Sequence, residues 1–489
     1  MATSDAAVVG YKTYTCPHAA QCGGCEWLSV PYPIQLSRKR AALGELFAPF
    51  GRDVDDIVGM DEPVAYRHKI MTPYAPGKGG KPRHGMYRRG THDLVGMRTC
   101  LVEHKAGRPI LESIAELAQG FRIPAYDENT GKGLLRHAIV RVGRVTGQVM
   151  VTLVVNRKEF PRKRAFVAAL RKRHPSIESV SFNVNTRRTN AVLGPLSMTA
   201  YGQGWIEDEL CGCTFRIPTD AFYQTNPAQT ERLYQIAIDM ARLREGDRVL
   251  DAYCGIGTIG IIAARQTRIE LVGVESVESA VCIARENARI NRVRNASFVC
   301  ADAGEYLAKA DETFDVVILD PPRAGASEEF LGSLLAAAPR RIVYISCNPV
   351  TQVRDIERLS SAYRVARLVG VDMFPHTKHL ETVAVLTREK SVKSYAYVNI
   401  SPSELGMGGK VKKPTYKQIQ EYVLKNHGLK VSSLYIANLK DELGLDKQFS
   451  YEEAEMSAEK RPKCPPEKRE AILDAFRHFG LIGEDETEK

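Results

Sequence analysis

A regular alternation of short apolar runs and helix-like patterns constrains the fold of this chain more than any other feature of its sequence. Each apolar run is long enough for a buried strand, and most of the runs end in an acidic or glycine-bearing turn. Strands that alternate with helices predict a parallel sheet, because a parallel connection needs a crossover helix. The predicted strands are residues 249–252, 271–275, 296–300, 314–319 and 341–345, separated by helical patterns such as 277–291.

The turns after these strands carry groups suited to a nucleoside cofactor. Gly255 and Gly257 lead into a helix, so backbone amides at its start can face a ligand. The next strand ends on Glu275, which is placed to accept hydrogen bonds from a ribose. The third glycine of the dinucleotide-binding pattern is missing. Because later strands lead to Asp302 and Asp320, the pattern favours a Rossmann-like class I methyltransferase domain, with S-adenosylmethionine as its cofactor.

A cysteine follows the last of these strands. Cys347 comes directly after the apolar run and Ser346, and precedes Asn348. Ligands collect outside the carboxyl ends of strands in an open parallel sheet, so a thiol there is placed for catalysis. The alternative is a buried core thiol. Methyltransferases acting on exocyclic amines also use an Asp-Pro-Pro turn, but an aromatic residue follows it, whereas Arg323 follows here.

These motifs together resemble those of the S-adenosylmethionine-dependent RNA uracil-C5 methyltransferases, the group that contains the bacterial 23S rRNA and tRNA 5-methyluridine enzymes. The motifs occur in the family's order, and the resemblance extends from the first cysteines to the last predicted strand. It rests on residues 221–227, 251–257, 320–323, 346–349 and 374–382.

The resemblance implies a role for each of several residues. Carbon 5 of uracil is a weak nucleophile, so a thiolate must first add to carbon 6, and Cys347 resembles that nucleophile. Glu381 resembles the general base that removes the carbon 5 proton, although a solvated carboxylate at a strand edge is the alternative. The implied cofactor contacts are Gln224, Tyr253, Glu275, Asp302 and Asp320.

Cysteines near the amino terminus form a second pattern. Cys16, Cys22 and Cys25 lie close together, and Cys100 offers a fourth thiol. Four soft ligands suit either zinc or an iron-sulfur cluster, and the residues alone do not choose between them. The resemblance implies a [4Fe-4S] cluster with a structural or RNA-positioning role. An odd number of cysteines, 11, and the lack of a signal peptide argue against disulfides.

The charge of the chain is consistent with a polyanionic partner. Its 489 residues include 68 Lys and Arg against 58 Asp and Glu, a net charge of +10. No apolar run approaches the roughly 18 residues of a membrane span. We therefore expect a cytoplasmic, monomeric enzyme that binds RNA and has no membrane partner. Basic segments, some with aromatic residues that can stack on bases, lie at residues 66–69, 78–89, 157–173 and 185–188.

The sequence predicts several domains. The carboxyl-terminal part shows helical patterns at residues 415–426, 431–443 and 466–479, which fit a plain bundle or a helix-turn-helix. The predicted parts are an iron-sulfur segment (1–60), a β-rich RNA-binding domain completed by Cys100 (61–215), the methyltransferase domain (216–392), a basic linker (393–414) and a helical appendix (415–489).

Three functions fit these features. The leading hypothesis is 5-methyluridine formation in 23S rRNA, because within the family the iron-sulfur motif marks the ribosomal branch. The second is the same reaction on the T loop of tRNA. The third is a non-catalytic, cluster-bearing RNA-binding or assembly factor, but the presence of both Cys347 and Glu381 argues against it.

Overall fold

Two compact units make up the chain, Met1–Val392 and Lys393–Lys489. The boundary falls at the predicted start of the basic linker. The linker itself, residues 393–414, lies outside the described residues except for Pro414. The computed structural model describes residues 13–189, 191–388, 414–442, 464–479 and 481.

The amino-terminal half of the first unit contains helices α1 to α3 and strands β1 to β9. The helices are Tyr32–Phe47, Gly107–Gly120 and Lys163–Arg173. The strands are Lys69–Ala75, Arg83–Tyr87, Leu94–Gly96, Leu135–Val142, Val149–Val155, Ile177–Val184, Leu196–Tyr201, Trp205–Leu210 and Cys213–Pro218.

Strands β1 to β7 form one mixed sheet in the order β3-β2-β1-β4-β5-β6-β7. All neighbours are antiparallel except β5 and β6, which are parallel and connected through α3. Strands β4 and β5 lie at the centre of the region that the sequence predicts to be rich in β-strands. Helices α2 and α3 share a core with this sheet through Leu111 and Phe166, so the region is α/β rather than purely β.

The carboxyl-terminal half of the first unit contains helices α4 to α9 and strands β10 to β16. The helices are Pro227–Ala241, Thr258–Gln266, Glu278–Ile290, Ala303–Lys309, Glu328–Ala337 and Pro349–Leu359. The strands are Arg248–Ala252, Glu270–Glu275, Ala296–Cys300, Val316–Leu319, Arg341–Ser346, Tyr363–Val371 and Glu381–Arg388.

These strands form a second sheet in the order β12-β11-β10-β13-β14-β16-β15. The strands from β12 to β14 are parallel, whereas β16 runs antiparallel to both β14 and β15. Separate hydrophobic cores, one containing Val249 and the other Leu250, pack against the sheet. The predicted Rossmann-like arrangement is confirmed.

Two segments that the sequence assigns elsewhere pack against the methyltransferase sheet. Leu43 and Phe47 of α1 join the core that contains Leu250, because burying them removes apolar surface from water. Val58 then extends the sheet, since its amide donates to Gly370 and its carbonyl accepts from Asp372. The hairpin of β8 and β9 adds residues such as Ile206 and Phe215 to the other core. The predicted boundaries near residues 60 and 215 therefore do not separate independent cores.

Helices α10 to α12 of the second unit are Tyr416–His427, Ser433–Glu442 and Pro466–His478. Thr415 and Gln418 form a capping box at the start of α10, and Gly428 ends the helix in the left-handed conformation. The predicted helices are confirmed. Their shared core includes Ile419, Val423, Ile436, Leu439, Ile472 and Phe476.

None of the helices in the described part of the chain is both long and apolar enough to cross a membrane.

Candidate active site

The sheet brings most of the predicted site residues to one edge. Strands β10 to β14 are parallel, so their carboxyl ends lie side by side, where ligands bind in open α/β sheets. The predicted residues at these ends are Tyr253 after β10, Glu275 at the end of β11, Asp302 after β12, Asp320 after β13 and Cys347 after β14.

A buried carboxyl group holds the glycine-bearing turn between β10 and α5. Asp251 Oδ2 accepts a hydrogen bond from the Gly260 amide at 3.0 Å. A Cβ atom on Gly260 would lie 2.7 Å from the same oxygen, so only glycine fits. Gly257 has φ of +80°, a conformation that favours glycine. Burial raises the pKa of Asp251 to about 7. Asp251, which was not among the predicted contacts, therefore supports the turn from beneath.

Backbone amides fix two of the predicted cofactor carboxylates. Glu275 accepts hydrogen bonds from the amides of Gly255 at 3.1 Å and Val277 at 3.0 Å. Asp302 caps α7 by accepting from the amides of Gly304 at 2.7 Å and Glu305 at 3.2 Å. A carboxylate has about four acceptor sites, so each side chain retains capacity for a ligand hydroxyl or amine.

Tyr253 is held in an uncommon backbone conformation. Its φ of +63° lies in the left-handed region, which non-glycine residues adopt rarely. Its ring packs edge to face against Phe330 with centroids 5.5 Å apart. Burial raises the pKa of its hydroxyl to about 12, and Asp302 adds to this effect. The ring is therefore fixed next to the predicted adenosine contacts.

Gln224 lies on the segment that leads into α4, away from the strand ends. It is buried and borders a small cavity together with Lys69 and Arg141. Two residues later, Asn226 caps α4 and also donates to the carbonyl of Met373 at 3.0 Å. The Gln224 segment is therefore joined to the loop that precedes Glu381.

Cys347 and Glu381 lie at neighbouring ends of β14 and β16, and the Glu381 carboxyl group acts electrostatically on the thiol. The last pair of the antiparallel register is Ser346 with Thr382; Cys347 directly follows Ser346, and Glu381 directly precedes Thr382. Glu381 is 3% exposed, and its Oε2 has no hydrogen-bond partner among the described residues. Burial raises the pKa of Glu381 to about 8, Asp320 adds to the increase, and Arg323 opposes it. In the free protein this carboxyl group is therefore mostly protonated at neutral pH.

The same charges act on the thiol. Burial raises the pKa of Cys347 to about 11, and this value includes smaller increases from the Glu381 and Asp320 carboxyl groups. Burial also raises the pKa of Asp320 itself, to about 7. The guanidinium of Arg323 lowers the pKa of Cys347 and so favours the nucleophilic thiolate.

Arg323 is a functional candidate that the sequence analysis missed. It was noted only as the residue after an Asp-Pro-Pro turn, but that turn ends β13, the neighbour of β14. The side chains of Asn348 and Thr351 donate to the Arg323 carbonyl at 3.0 and 3.3 Å. Its place at the end of an adjacent strand was the signal that could have identified it.

The four amino-terminal cysteines border one cavity of about 570 Å³. The Gly24 amide donates to Cys22 Sγ at 3.4 Å, and the amides of Val102 and Glu103 hydrogen-bond to Cys100. No disulfide links cysteines within the described part of the chain. The structure therefore brings together Cys16, Cys22, Cys25 and Cys100.

Four thiols bordering one cavity suit either a zinc ion or an iron-sulfur cluster. A zinc ion needs all four sulfur atoms at about 2.3 Å from one point. Throughout the described residues, no group of three or more His, Cys, Asp or Glu side chains converges closely enough to hold one metal ion. An iron-sulfur cluster binds its cysteines through different iron atoms and tolerates a wider set of thiolates.

Comparisons with known proteins agree with this site. The family model described as tRNA (Uracil-5-)-methyltransferase matches residues 145–389. An "uncharacterized RNA methyltransferase" of Staphylococcus aureus (strain MSSA476) is 39% identical over 377 residues, covering 76% of this chain and 83% of the relative. One with the same description from Staphylococcus epidermidis (strain ATCC 12228 / FDA PCI 1200) is 39% identical over 385 residues, covering 77% and 84%.

A solved structure is similar over most of the chain. The crystal structure of Pyrococcus abyssi tRNA (uracil-54, C5)-methyltransferase in complex with S-adenosyl-L-homocysteine has a TM-score of 0.64 and 30% sequence identity, and the match covers 75% of this chain and 86% of that one. The residues matched by the family model include Cys347, Glu381 and the five predicted cofactor contacts. The chain therefore belongs to the RNA uracil-C5 methyltransferase family, and it is an S-adenosylmethionine-dependent RNA methyltransferase.

Proposed function

We propose that this enzyme methylates carbon 5 of a uridine in 23S rRNA, with Cys347 as the nucleophile and Glu381 as the general base. One observation carries the catalytic assignment: at the ligand-binding edge of the sheet, the Cys347 thiol lies within electrostatic reach of the Glu381 carboxyl group, one oxygen of which has no hydrogen-bond partner among the described residues. Methylation at carbon 5 requires a nucleophile that adds to the uracil ring and a base that removes a proton from the same ring, so both groups must reach one small substrate.

The reaction can be written with its electrons balanced. The Cys347 thiolate forms a bond to carbon 6 of uracil, and the carbon 5–carbon 6 π electrons move toward the carbon 4 carbonyl to give an enolate. S-adenosylmethionine would supply the methyl group that carbon 5 attacks, and the electrons of the broken sulfur–methyl bond would stay on sulfur, so that S-adenosylhomocysteine leaves. Glu381, after releasing its own proton to solvent, takes the carbon 5 proton as a carboxylate, the electrons of that C–H bond restore the carbon 5–carbon 6 double bond, and the electrons of the carbon 6–sulfur bond leave with the Cys347 thiolate.

The electrostatics of the free site match both steps. A neutral Glu381 leaves the thiolate without a second negative charge beside it, while Arg323 supplies a positive one. A general base is most useful when its pKa lies near the working pH, and the pKa of about 8 for Glu381 meets this condition.

The predicted cofactor contacts take separate roles in this proposal. Glu275 binds the ribose hydroxyl groups and Asp302 the adenine amine, since both carboxylates are already oriented by backbone amides. Gln224 and Asp320 lie toward the methionine end, and Tyr253 packs against the cofactor with its ring.

We further propose that Cys16, Cys22, Cys25 and Cys100 hold a [4Fe-4S] cluster. Their shared cavity and the resemblance of their spacing to that of the iron-sulfur branch of the family support this assignment. A cluster here would join the amino-terminal segment to the loop that carries Cys100, which follows β3. Iron and acid-labile sulfide analysis of anaerobically purified protein tests it, and stoichiometric zinc would replace it with a zinc site.

The cysteine set also supports 23S rRNA as the substrate, through the resemblance to the ribosomal branch. tRNA is the second candidate, because the similar solved structure is that of an enzyme for uracil 54 of tRNA. Unmethylated 23S rRNA and unmethylated tRNA should each be incubated with the protein and S-adenosylmethionine, with Cys347→Ala as control, and the fragments analysed by mass spectrometry. Methyluracil in 23S rRNA alone supports the proposal, methyluracil in tRNA alone favours the second candidate, and no methyl group in either RNA contradicts both.

A further inference from the structure

We infer that Gln35 is a positioning residue for Glu381, because its side chain joins residues 16–30, the cysteine-rich segment, to the loop that leads into β16. This inference rests on the proposed role of Glu381 as the general base. Gln35 lies on α1, far from Glu381 in sequence, and is 0% exposed. The loop, residues 372–380, connects β15 to β16 and ends directly before Glu381.

The Gln35 amide contacts both segments at once. Its Nε2 lies 3.0 Å from the Trp27 carbonyl and 2.8 Å from the Val30 carbonyl, both just after Cys25. The same nitrogen lies 3.2 Å from Nδ1 of His376, and Gln35 Oε1 accepts a hydrogen bond from the His376 amide at 2.9 Å. One side chain therefore satisfies backbone groups on either side of the junction.

His376 is the point where the loop meets the cysteine-rich segment. Its carbonyl accepts hydrogen bonds from the amides of Glu26 and Trp27, each at 2.9 Å. Its ring is fully buried, and Nε2 lies 2.9 Å from the Pro63 carbonyl. Burial lowers the pKa of His376, so the ring is neutral, and because the Pro63 carbonyl can only accept a hydrogen bond, the ring proton is assigned to Nε2.

His376 also has an unusual backbone conformation. Its φ of +67° lies in the left-handed region, which costs free energy for a residue with a Cβ atom. Such a conformation persists only when surrounding contacts determine it. The contacts from Gln35, Glu26 and Trp27 supply that determination, so their loss allows the loop to relax toward another conformation.

Further contacts hold the start of the same loop. Lys39, one helical turn after Gln35, forms a buried ion pair with Asp372 at 2.6 Å, and the Tyr32 hydroxyl donates to the other Asp372 oxygen at 2.9 Å. The Tyr66 hydroxyl donates to the Pro375 carbonyl at 3.0 Å. The loop before Glu381 is therefore held by the amino-terminal segment rather than by its own strands alone.

The nucleophile is held in a different way. The turn at Cys347 is closed by the Asn348 amide, which donates to Ser346 Oγ at 3.0 Å, and by Gln352, which donates to the Tyr344 carbonyl at 2.8 Å. These contacts lie within β14 and α9. Loss of Gln35 should therefore affect proton removal by Glu381 more than addition by Cys347, and RNA with a methylated, still attached uracil should accumulate.

The test is single-turnover kinetics on the RNA, 23S rRNA or tRNA transcript, that the wild-type protein methylates. The covalent protein–RNA species is measured on denaturing gels with radiolabelled S-adenosylmethionine. Gln35→Met preserves length and removes the contacts that the amide group makes. It should leave the rate of methyl transfer nearly unchanged and slow decay of the covalent species by about 10- to 100-fold, the size expected for a displacement of roughly 1 Å. Tyr66→Phe removes one hydroxyl contact to the same loop and should slow decay to a smaller extent.

Two reference variants separate the possible failures. Leu43→Ala creates a cavity in the core beneath the same helix and removes none of the hydrogen bonds to the loop, so it should lower Tm but leave decay near the wild-type rate. Glu381→Gln removes the proposed base, so the covalent protein–RNA species should accumulate to a higher level than in any other variant. If Glu381→Gln gives none, the proposed base fails and this inference fails with it. If Glu381→Gln gives it but Gln35→Met and Tyr66→Phe both decay at the wild-type rate, only the inference fails.

The rate at which the covalent species decays should also be measured as a function of pH. A general loss of folded protein would leave the midpoint of this pH profile unchanged. Glu381 faces Asp320 and Arg323 after β13, Cys347 after β14, and Tyr234 on α4. A loosened loop admits water to Glu381, which favours its charged form. The midpoint of the Gln35→Met profile should therefore move to lower pH while its plateau falls. An unchanged midpoint with equal loss at every pH would overturn the positioning role.

Discussion

Replacement of Arg323 tests the electrostatics of the nucleophile without any substrate. With a pKa of about 11, only about one Cys347 side chain in a thousand is a thiolate at pH 8, because each pH unit below the pKa lowers that fraction tenfold. Arg323 is the cation that opposes this shift, but it is exposed and therefore screened by water and salt. Arg323→Gln should raise the pKa by up to about one unit, so alkylation of Cys347 should slow by about two- to tenfold.

The assay is the rate at which iodoacetamide modifies the peptide containing Cys347, followed by mass spectrometry from pH 7 to pH 10. The rate should rise about tenfold per pH unit, since only the thiolate reacts. The difference between wild type and Arg323→Gln should shrink in 1 M salt, where the screening length is about 3 Å. Arg364→Gln removes an exposed arginine on β15 and is the matched control.

The opposite change should follow from Glu381→Gln. Above a pH of about 8 the wild-type carboxyl group is charged and raises the pKa of Cys347 further, so its removal should accelerate alkylation. Equal rates for wild type and Arg323→Gln at low salt would refute the assigned role of Arg323. If alkylation of Cys347 is slower in Glu381→Gln than in the wild type, the Glu381 carboxylate does not destabilise the Cys347 thiolate, and this part of the reasoning is refuted.

Three further outcomes are expected. In RNA methylation assays, Glu381→Gln should stop after methyl transfer and leave protein bound to RNA on a denaturing gel, whereas free RNA would count against the base. Asp251 has a pKa of about 7, against about 3.9 in the unfolded chain, so its contribution to stability is present below about pH 4 and is lost as the pH rises to 7. In the wild type this titration should lower the free energy of unfolding by at most about 4 kcal/mol between about pH 4 and about pH 7, and Tm should fall accordingly. In Asp251→Asn this part of the fall should be absent, and an unchanged pH dependence of Tm would contradict the burial argument. Cys22→Ser should lose the iron and sulfide of the wild type, while full retention of iron would remove Cys22 from the ligand set.

The parallel strands could be predicted because they are buried on both faces and lie between helices with a clear period. β14 is an example, since its residues 341–345 are almost all apolar and nearly all buried. The carboxyl ends of such strands then indicate where ligands bind, and this is why Glu275, Asp302, Asp320 and Cys347 could be selected. Each of these residues ends or closely follows its own strand, so its place at that edge of the sheet could be predicted locally, whereas the roles in cofactor binding and catalysis came from the family resemblance.

Residues whose roles depend on contacts distant in sequence could not be predicted in this way. Gln35 on α1 looks like any polar position on a helix, and only the folded chain places it against His376. The packing of α1 on the methyltransferase sheet has the same cause, since an amphipathic helix does not specify which core it covers. Arg323 was visible, but its effect on Cys347 depends on the adjacency of β13 and β14.

The place of β16 in the sheet has a consequence for synthesis of the protein. β16 is the last strand of its unit to leave the ribosome, yet it lies between β14 and β15, which do not pair with each other. Until it emerges, the nascent chain exposes two unpaired strand edges, which are surfaces prone to aggregation. The same strand begins with Glu381, so the chain gains its proposed general base when the sheet closes. A ribosome that stalls earlier releases an incomplete sheet rather than a partly active enzyme.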